Sequence, residues 1–335
     1  MILGIESSCD DTSAAVLCGT EMLSNVIASQ AVHMQYGGVI PELASRAHQQ
    51  NIVPVVDTAL KNASVGVSDL DAIAFTRGPG LLGSLLVGVS FSKGLAVANN
   101  IPLVEVNHLQ GHILSHFIDI PGETVPHPSF PFLCLLVSGG HTQIVKVTAP
   151  LEMEIVGTTI DDAAGEAFDK CAKVMGLPYP GGPEVEKLAL DGNPLAIDFP
   201  RAKLGNNFEF SFSGLKSAVI NYLHNKQQAG EEVNRADVAA SFQYAIVDAL
   251  VQKSVHALKE TGLKEIVLAG GVSANKTLQN TLAKAAERAG ARLVHPTPIL
   301  CTDNAVMIAC RGYFMYINGE KSPLGLNAVP SLKLG

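Results

Sequence analysis

Phe132-Leu133-Cys134-Leu135-Leu136-Val137 is a continuous apolar run, Ser138-Gly139-Gly140-His141 is a polar turn, and Thr142 to Val147 is a second run of strand formers. Strand, turn, strand predicts a hairpin. The same layout stands at the start of the chain, as Ile2-Leu3-Gly4-Ile5-Glu6, the polar turn Ser7 to Asp11, and Thr12 to Leu17. We read the pair as an internal duplication. The fold class expected is α/β, with duplicated mixed-sheet lobes whose hairpin tips face each other across a cleft. Ile120 to Ser129 carries three prolines and reads as the linker. The lobes are placed at 1–125 and 126–309, with a helical and loop-rich insert near 177–235 in the second. Residues 310–335 form a terminal segment expected to pack back on the first lobe.

Composition limits what such a protein does. With 335 residues the chain exceeds one ordinary core. It is 47% apolar and 16% charged, as a well-buried α/β protein is, yet no apolar run approaches the ~20 residues of a membrane span. The first residues lack the basic and apolar regions of a signal peptide. Six cysteines (9, 18, 134, 171, 301 and 310) show no CxxC pair, which points to reduced thiols in the cytoplasm. The net charge of −8 argues against gripping nucleic acid by global charge. A nucleic-acid substrate then needs a local basic groove or a partner protein.

Asn107-His108-Leu109-Gln110-Gly111-His112 ends an apolar strand and opens a helix. Histidines four apart on a helix share a face, so both imidazoles can reach one metal ion. Asp303, in Cys301-Thr302-Asp303-Asn304, is the candidate third ligand. At the first hairpin tip, Asp10 and Asp11 can hold metal or accept a proton. At the second tip, glycines let backbone N–H groups approach a phosphate.

The remaining elements follow from pattern. A helix opens at Pro41, pauses near Pro54 and stops by Asn62. A strand over 71–76 leads through Gly78-Pro79-Gly80 into a long helix over 81–98. No Lys-Ser or Lys-Thr follows those glycines, so this is no Walker loop. Residues 160–170 read as an amphipathic helix with acids in its first turn. Residues 191–213, with Arg201 and Lys203, suit a lid, a partner contact or a plain surface loop. Helices follow at about 214–225 and 236–261. The strand Glu265 to Ala269 then meets a glycine turn, where Asn275 bonds a ribose or base or caps the next helix.

Ten segments in this order carry a resemblance to a known family: 4–10, 36–46, 78–83, His108 to His112, 136–142, 161–169, 179–183, 212–216, 269–275 and 301–303. They resemble the catalytic subunit of the tRNA adenosine threonylcarbamoyltransferases, a family once labelled O-sialoglycoprotein endopeptidase. That resemblance implies a fold similar to actin, the Hsp70 ATPase domain and sugar kinases. It also implies transfer of threonylcarbamoyl from threonylcarbamoyl-AMP to the exocyclic amine of the adenosine 3′ of the anticodon. By position His108, His112 and Asp303 match the family's metal ligands, with iron the first candidate and zinc or magnesium the alternatives. Leu136, Val137, Ser138, Gly139, Gly140, Asp169, Gly182 and Asn275 match positions around the adenylate. Glu186 stands where the family often has Asp. The family usually has Asp-Glu where this chain has Asp10-Asp11, and one of these is the candidate proton acceptor. The implied partners are tRNA, an inactive paralogue pairing through the N-terminal lobe, and a small P-loop ATPase, with no membrane. Three rivals are weighed against this. A zinc peptidase lacks its general base, because Leu109 stands where Glu is needed. A kinase-like ATPase requires partner-independent turnover. Scaffold relatives lack the metal histidines that this chain has.

Overall fold

The computed structural model describes every residue except 31, 32, 34, 35, 203, 206 and 335, so Lys203 lies outside the described residues. The chain divides into two compact units. One comprises Met1–Pro128, Ala149–Met153 and Pro296–Gly335; the other comprises Ser129–Thr148 and Glu154–His295.

In the first unit, β1 (Ile2–Glu6), β2 (Thr12–Cys18), β3 (Glu21–Ala28), β4 (Ala72–Gly78) and β5 (Leu103–Asn107) form one sheet in the order β3-β2-β1-β4-β5. The hairpin β1–β2 is antiparallel, with Ile5 opposite Ala14, and β4 and β5 extend it in parallel. Three helices follow these strands: α1 (Pro41–Asn62), α2 (Leu82–Asn99) and α3 (His108–Leu114). Contrary to the expected pause, α1 runs through Pro54 without a break. Its Ile52, Val55, Val56 and Ala59 are buried against Leu3, Ile5, Val16 and Phe75, and this packing outweighs the lost backbone donor.

The second unit repeats the plan. Its strands β6 (Phe132–Val137), β7 (Thr142–Ala149), β8 (Glu152–Thr158), β9 (Glu265–Ala269) and β10 (Arg292–Val294) are ordered β10-β9-β6-β7-β8. Read from the other edge, this is the order of the first sheet, so the duplication extends from the hairpins to all five strands. Between β8 and β9 lie α4 (Ala164–Val174), α5 (Gly181–Ala189), α6 (Ser213–Gln228) and α7 (Arg235–Thr261); α8 (Lys276–Arg288) joins β9 to β10. Helix α4 begins at Ala164, later than the sequence pattern suggests. Asp161 is drawn away from it, because its carboxylate accepts from the Ser211 and Ser213 hydroxyls and the Phe212 and Ser213 amides at the start of α6. Burial, the largest single effect, raises its pKa, but the four donors together outweigh it and hold the group below the usual range.

After β10, α9 (Pro298–Cys301) and α10 (Ala305–Ile317) return to the first unit. The boundary expected at 309/310 therefore falls inside a helix. Helix α10 packs on β1, β2, β4 and α3, with Ala305 to Gly312 buried. Gly4 makes this possible, since a side chain there would collide with the Ala305 carbonyl and with Ala309.

Candidate metal centre and adenylate turn

Helix α3 is placed by its cap. The Asn107 carboxamide oxygen accepts from the Leu109 amide at 2.9 Å and the Gln110 amide at 3.4 Å, which fixes the helix start at His108. The next turn brings His112 onto the same face. The two imidazoles lie 4.7 Å apart, edge to face. Asp303, just before α10, points one oxygen at both: Oδ1 is 3.1 Å from His112 Nε2 and 3.4 Å from His108 Nε2.

Glu6, at the end of β1 and fully buried, completes the arrangement. Its Oε2 lies 2.9 Å from His108 Nδ1 and accepts from the Thr76 hydroxyl at 2.6 Å, while Oε1 accepts from the Ser8 amide. Ser8 Oγ is also 3.2 Å from His108 Nδ1. Such a carboxylate fixes which imidazole nitrogen carries the proton and turns the other toward a ligand. Sequence reading passed over Glu6 because it looks like the last residue of an apolar strand. Its only sequence signal was a charge inside a buried pattern.

Electrostatics couple the four groups. Burial favours the neutral imidazole of His108, but Asp303 and Glu6 outweigh it and hold its pKa well above 6.5. Asp303 is held well below the usual carboxylate range by His108 and His112, against burial. Glu6 is likewise lowered, with burial opposing and His108 prevailing. His112 goes the other way. Burial pushes its pKa below 6.5 and the His108 charge adds to this, against the Asp303 hydrogen bond.

A metal ion fits these residues. Two nitrogens and one oxygen lie within 4.8 Å of one another. His112 spends Nε2 on Asp303 and leaves Nδ1 buried with no hydrogen-bond partner among the described residues, so the ring is poorly explained by hydrogen bonding alone.

At the first hairpin tip, Asp11 is raised from 3.8 to about 6: burial is the main cause, a Ser29 hydroxyl opposes it, and the charges of Asp10, Asp303 and Glu6 add to it. Burial pushes the Cys9 thiol up strongly, and the neighbouring Asp10 charge adds to this.

The second unit places the other expected residues. Leu136 and Val137 are fully buried, paired in the sheet with Gln143 and Thr142. Gly139 and Gly140 sit exposed at the turn, which the Ser138 amide closes onto the His141 carbonyl at 2.8 Å. Asp169 Oδ1 accepts from the Gly181 amide at 2.7 Å and so holds the start of α5, where Gly182 lies. Burial raises its pKa, and the Gly181 and Gly182 amides oppose this. Glu186 accepts from the Lys276 amide at 2.6 Å. Asn275 caps α8 through the Leu278 amide and donates to Gln243 at 2.8 Å. In this structure its carboxamide is therefore engaged at both ends.

Solved structures of low sequence identity share the fold. T. kodakarensis HypF aligns with TM-score 0.60 at 16% identity over 95% of this chain and 48% of its own, so this chain spans about half of HypF. A ROK hexokinase from Thermus thermophilus aligns with TM-score 0.50 at 16% identity, over 95% of this chain and 99% of its own. The fold is thus of the actin-, Hsp70- and sugar-kinase-like class, here carrying a His-His-Asp cluster. A family model described as tRNA N6-adenosine threonylcarbamoyltransferase matches residues 21–310. Proteins of that name from Porphyromonas gingivalis (98% of this chain, 97% of the relative) and Moorella thermoacetica (99% and 97%) are each 56% identical to it. The chain belongs to the tRNA N6-adenosine threonylcarbamoyltransferase family.

Proposed function

We propose that this chain transfers threonylcarbamoyl from threonylcarbamoyl-AMP to the N6 amine of the adenosine 3′ of the anticodon in tRNAs reading ANN codons, releasing AMP. The observation that carries the reading is the cluster of two buried histidines, His108 and His112, with the half-buried Asp303, in a member of a family named for this transfer.

An adenine amine is a weak nucleophile because its lone pair is delocalised into the ring. It attacks only an activated acyl carbon, and a mixed anhydride with AMP is one. The N6–carbon bond forms, the carbon–oxygen bond to the phosphate breaks, and AMP leaves with the electron pair. The proton lost from N6 goes to the Asp11 carboxylate, whose pKa near 6 suits a base at neutral pH. Backbone N–H groups around the exposed Gly139 and Gly140 bind the phosphate. His108, His112 and Asp303 would hold a divalent ion, which would supply Lewis acidity when bound, and two nitrogens and one oxygen suit iron or zinc better than magnesium.

The test is nucleoside mass spectrometry of unmodified tRNA incubated with this chain, threonylcarbamoyl-AMP and its partners. Threonylcarbamoyladenosine is expected from the wild-type chain and a loss of it from Asp303→Ala. An unmodified tRNA from the wild-type mixture, with partners active beside a relative, would sink the reading.

The first unit also supports pairing with an inactive paralogue. Contrary to the expectation from the sequence, the 18-residue helix α2 is by length and composition apolar enough to cross a membrane, and one third of it is buried. Its inner face packs on α1 and β4. Its outer Leu82 and Leu86 stay exposed, and beside them a groove of ≈ 480 Å³ is lined by Ser45, Gln49, Ile52, Gly83, Leu86 and Val87. A helical partner seated there covers that apolar surface. Leu86→Glu should weaken the pairing by about 100-fold or more, read by sedimentation of the two chains together. An unchanged affinity would remove this face from the proposed interface. The P-loop ATPase completes the set of proposed partners. With a net charge of −8, tRNA binding is a task shared with them.

A further inference from the structure

The segment after α10 runs back along the strand ends of the first unit. The Ser322 amide donates to the Leu103 carbonyl at 2.8 Å and the Val329 amide to the Arg77 carbonyl at 2.9 Å. Arg77 Nε in turn donates to the Asn327 carbonyl at 3.0 Å, and the Gly80 amide to the Pro330 carbonyl at 3.1 Å. Gly78 accommodates this course, because a side chain there would collide with the Val329 carbonyl. The segment then reaches α3. Asn107, the cap of that helix, donates through Nδ2 to the Lys333 carbonyl at 2.7 Å. Gln110 donates through Nε2 to the Leu334 carbonyl at 2.6 Å.

Gln110 has a second partner. Its Oε1 accepts from Arg311 Nε at 3.0 Å, and the buried Arg311 also donates to the Pro150 carbonyl at 2.7 Å. Arg311 lies on α10, the helix that starts two residues after Asp303. One carboxamide therefore joins the helix bearing both histidines, the helix that follows the carboxylate, and the terminal segment. Gln110 stands between His108 and His112 in sequence but is turned away from the cluster, and its hydrogen bonds go to supports and to no ligand atom.

We propose that residues 326–334 act as a strap that fixes α3, with Gln110 as the positioning residue that locks the strap and α10 onto it, so that His108, His112 and Asp303 keep the spacing a single ion requires. The proposal rests on the reading of those three residues as a metal site. Groups bonded directly to metal-ligating side chains set metal affinity by about 10- to 100-fold, and Gln110, which fixes the helix that carries the ligands, acts at the low end of that range.

The experiment titrates the metal-free full chain with Co²⁺ alone, read by its visible absorption and by calorimetry, in the wild type, Gln110→Ala, Gln110→Glu and His112→Ala. Gln110→Glu separates the two bonds: its carboxylate still accepts from Arg311 but, ionised, has no proton for the Leu334 carbonyl. Its added negative charge also favours a cation, so any loss of affinity has to come from the strap. Both Gln110 variants should bind Co²⁺ about 10-fold more weakly, with a changed absorption band, and exchange the amides of residues 111–113 faster than the wild type. Wild-type affinity, spectrum and exchange in Gln110→Glu would overturn the strap while leaving the metal reading intact. A wild-type chain that binds Co²⁺ no better than His112→Ala would overturn both.

Discussion

His112→Ala is expected to lose the metal and to lower the transfer rate by about 10³-fold or more, while the chain stays folded. The two effects separate because His112 does little for stability. Its ring spends one nitrogen on Asp303 and leaves the other buried without a partner among the described residues, a cost of about 1–3 kcal/mol that alanine removes. The cavity left by the ring costs a similar amount, so the melting temperature should move by a few degrees at most. Asp303 keeps His108, and its charge is not stranded. Glu6→Gln provides the graded comparison. Gln keeps an oxygen for Thr76 but no longer opposes the His108 ring with a full negative charge, so metal affinity should fall by about 10- to 100-fold. Metal content by atomic spectroscopy, melting curves and transfer rates on the same preparations decide the matter. Full transfer activity in a metal-free His112→Ala protein would remove the metal from the mechanism.

What the sequence made legible follows from how locally each feature is encoded. A helix start at His108 needs only Asn107 and the i, i+4 spacing, and both lie within one turn. The inner hairpins were legible because β1, β2, β6 and β7 carry long buried runs. Their third strands were not. β3 and β8 mix Glu21, Ser24 and Asn25, or Glu152 and Glu154, with apolar residues, because an outer strand is only half covered. Glu6 escaped for the opposite reason. Its role is set by Thr76 and His108, which are remote in sequence and which the parallel β4 and β5 bring to its side. The start of α4 was misplaced by another long-range effect, the pull of residues 211–213 on Asp161. Pattern finds elements, but it does not find partners supplied by other elements. For Asn275, the sequence left ligand contact and capping open, and the structure uses the side chain as a cap.

Asp11→Asn should raise stability and lower activity together, and pH separates the two. The Asp11 carboxyl has its pKa raised from 3.8 to about 6 in the folded chain, first by burial and then by the charges of Asp10, Asp303 and Glu6, against a Ser29 hydroxyl. The folded state therefore binds this proton more tightly than the unfolded state. Stability from this group is fully present below pH 4 and is lost as pH rises through 6. The shift of about two units corresponds to roughly 3 kcal/mol, which partial exposure reduces to about 1–2 kcal/mol. Asparagine carries no charge to desolvate. It should gain that 1–2 kcal/mol at pH 8 and nothing at pH 4, as read from urea unfolding at both values. If Asp11 takes the proton from N6, the same variant should lose about 10²- to 10⁴-fold in transfer rate. The wild-type rate should also fall as pH drops below 6, where the carboxylate is protonated. A residue held in a state that costs stability and yields activity is one whose position serves the reaction. If Asp11→Asn gained stability at pH 8 and kept its rate, the carboxylate would be a tolerated strain of the hairpin tip, and the proton would have to leave by another group.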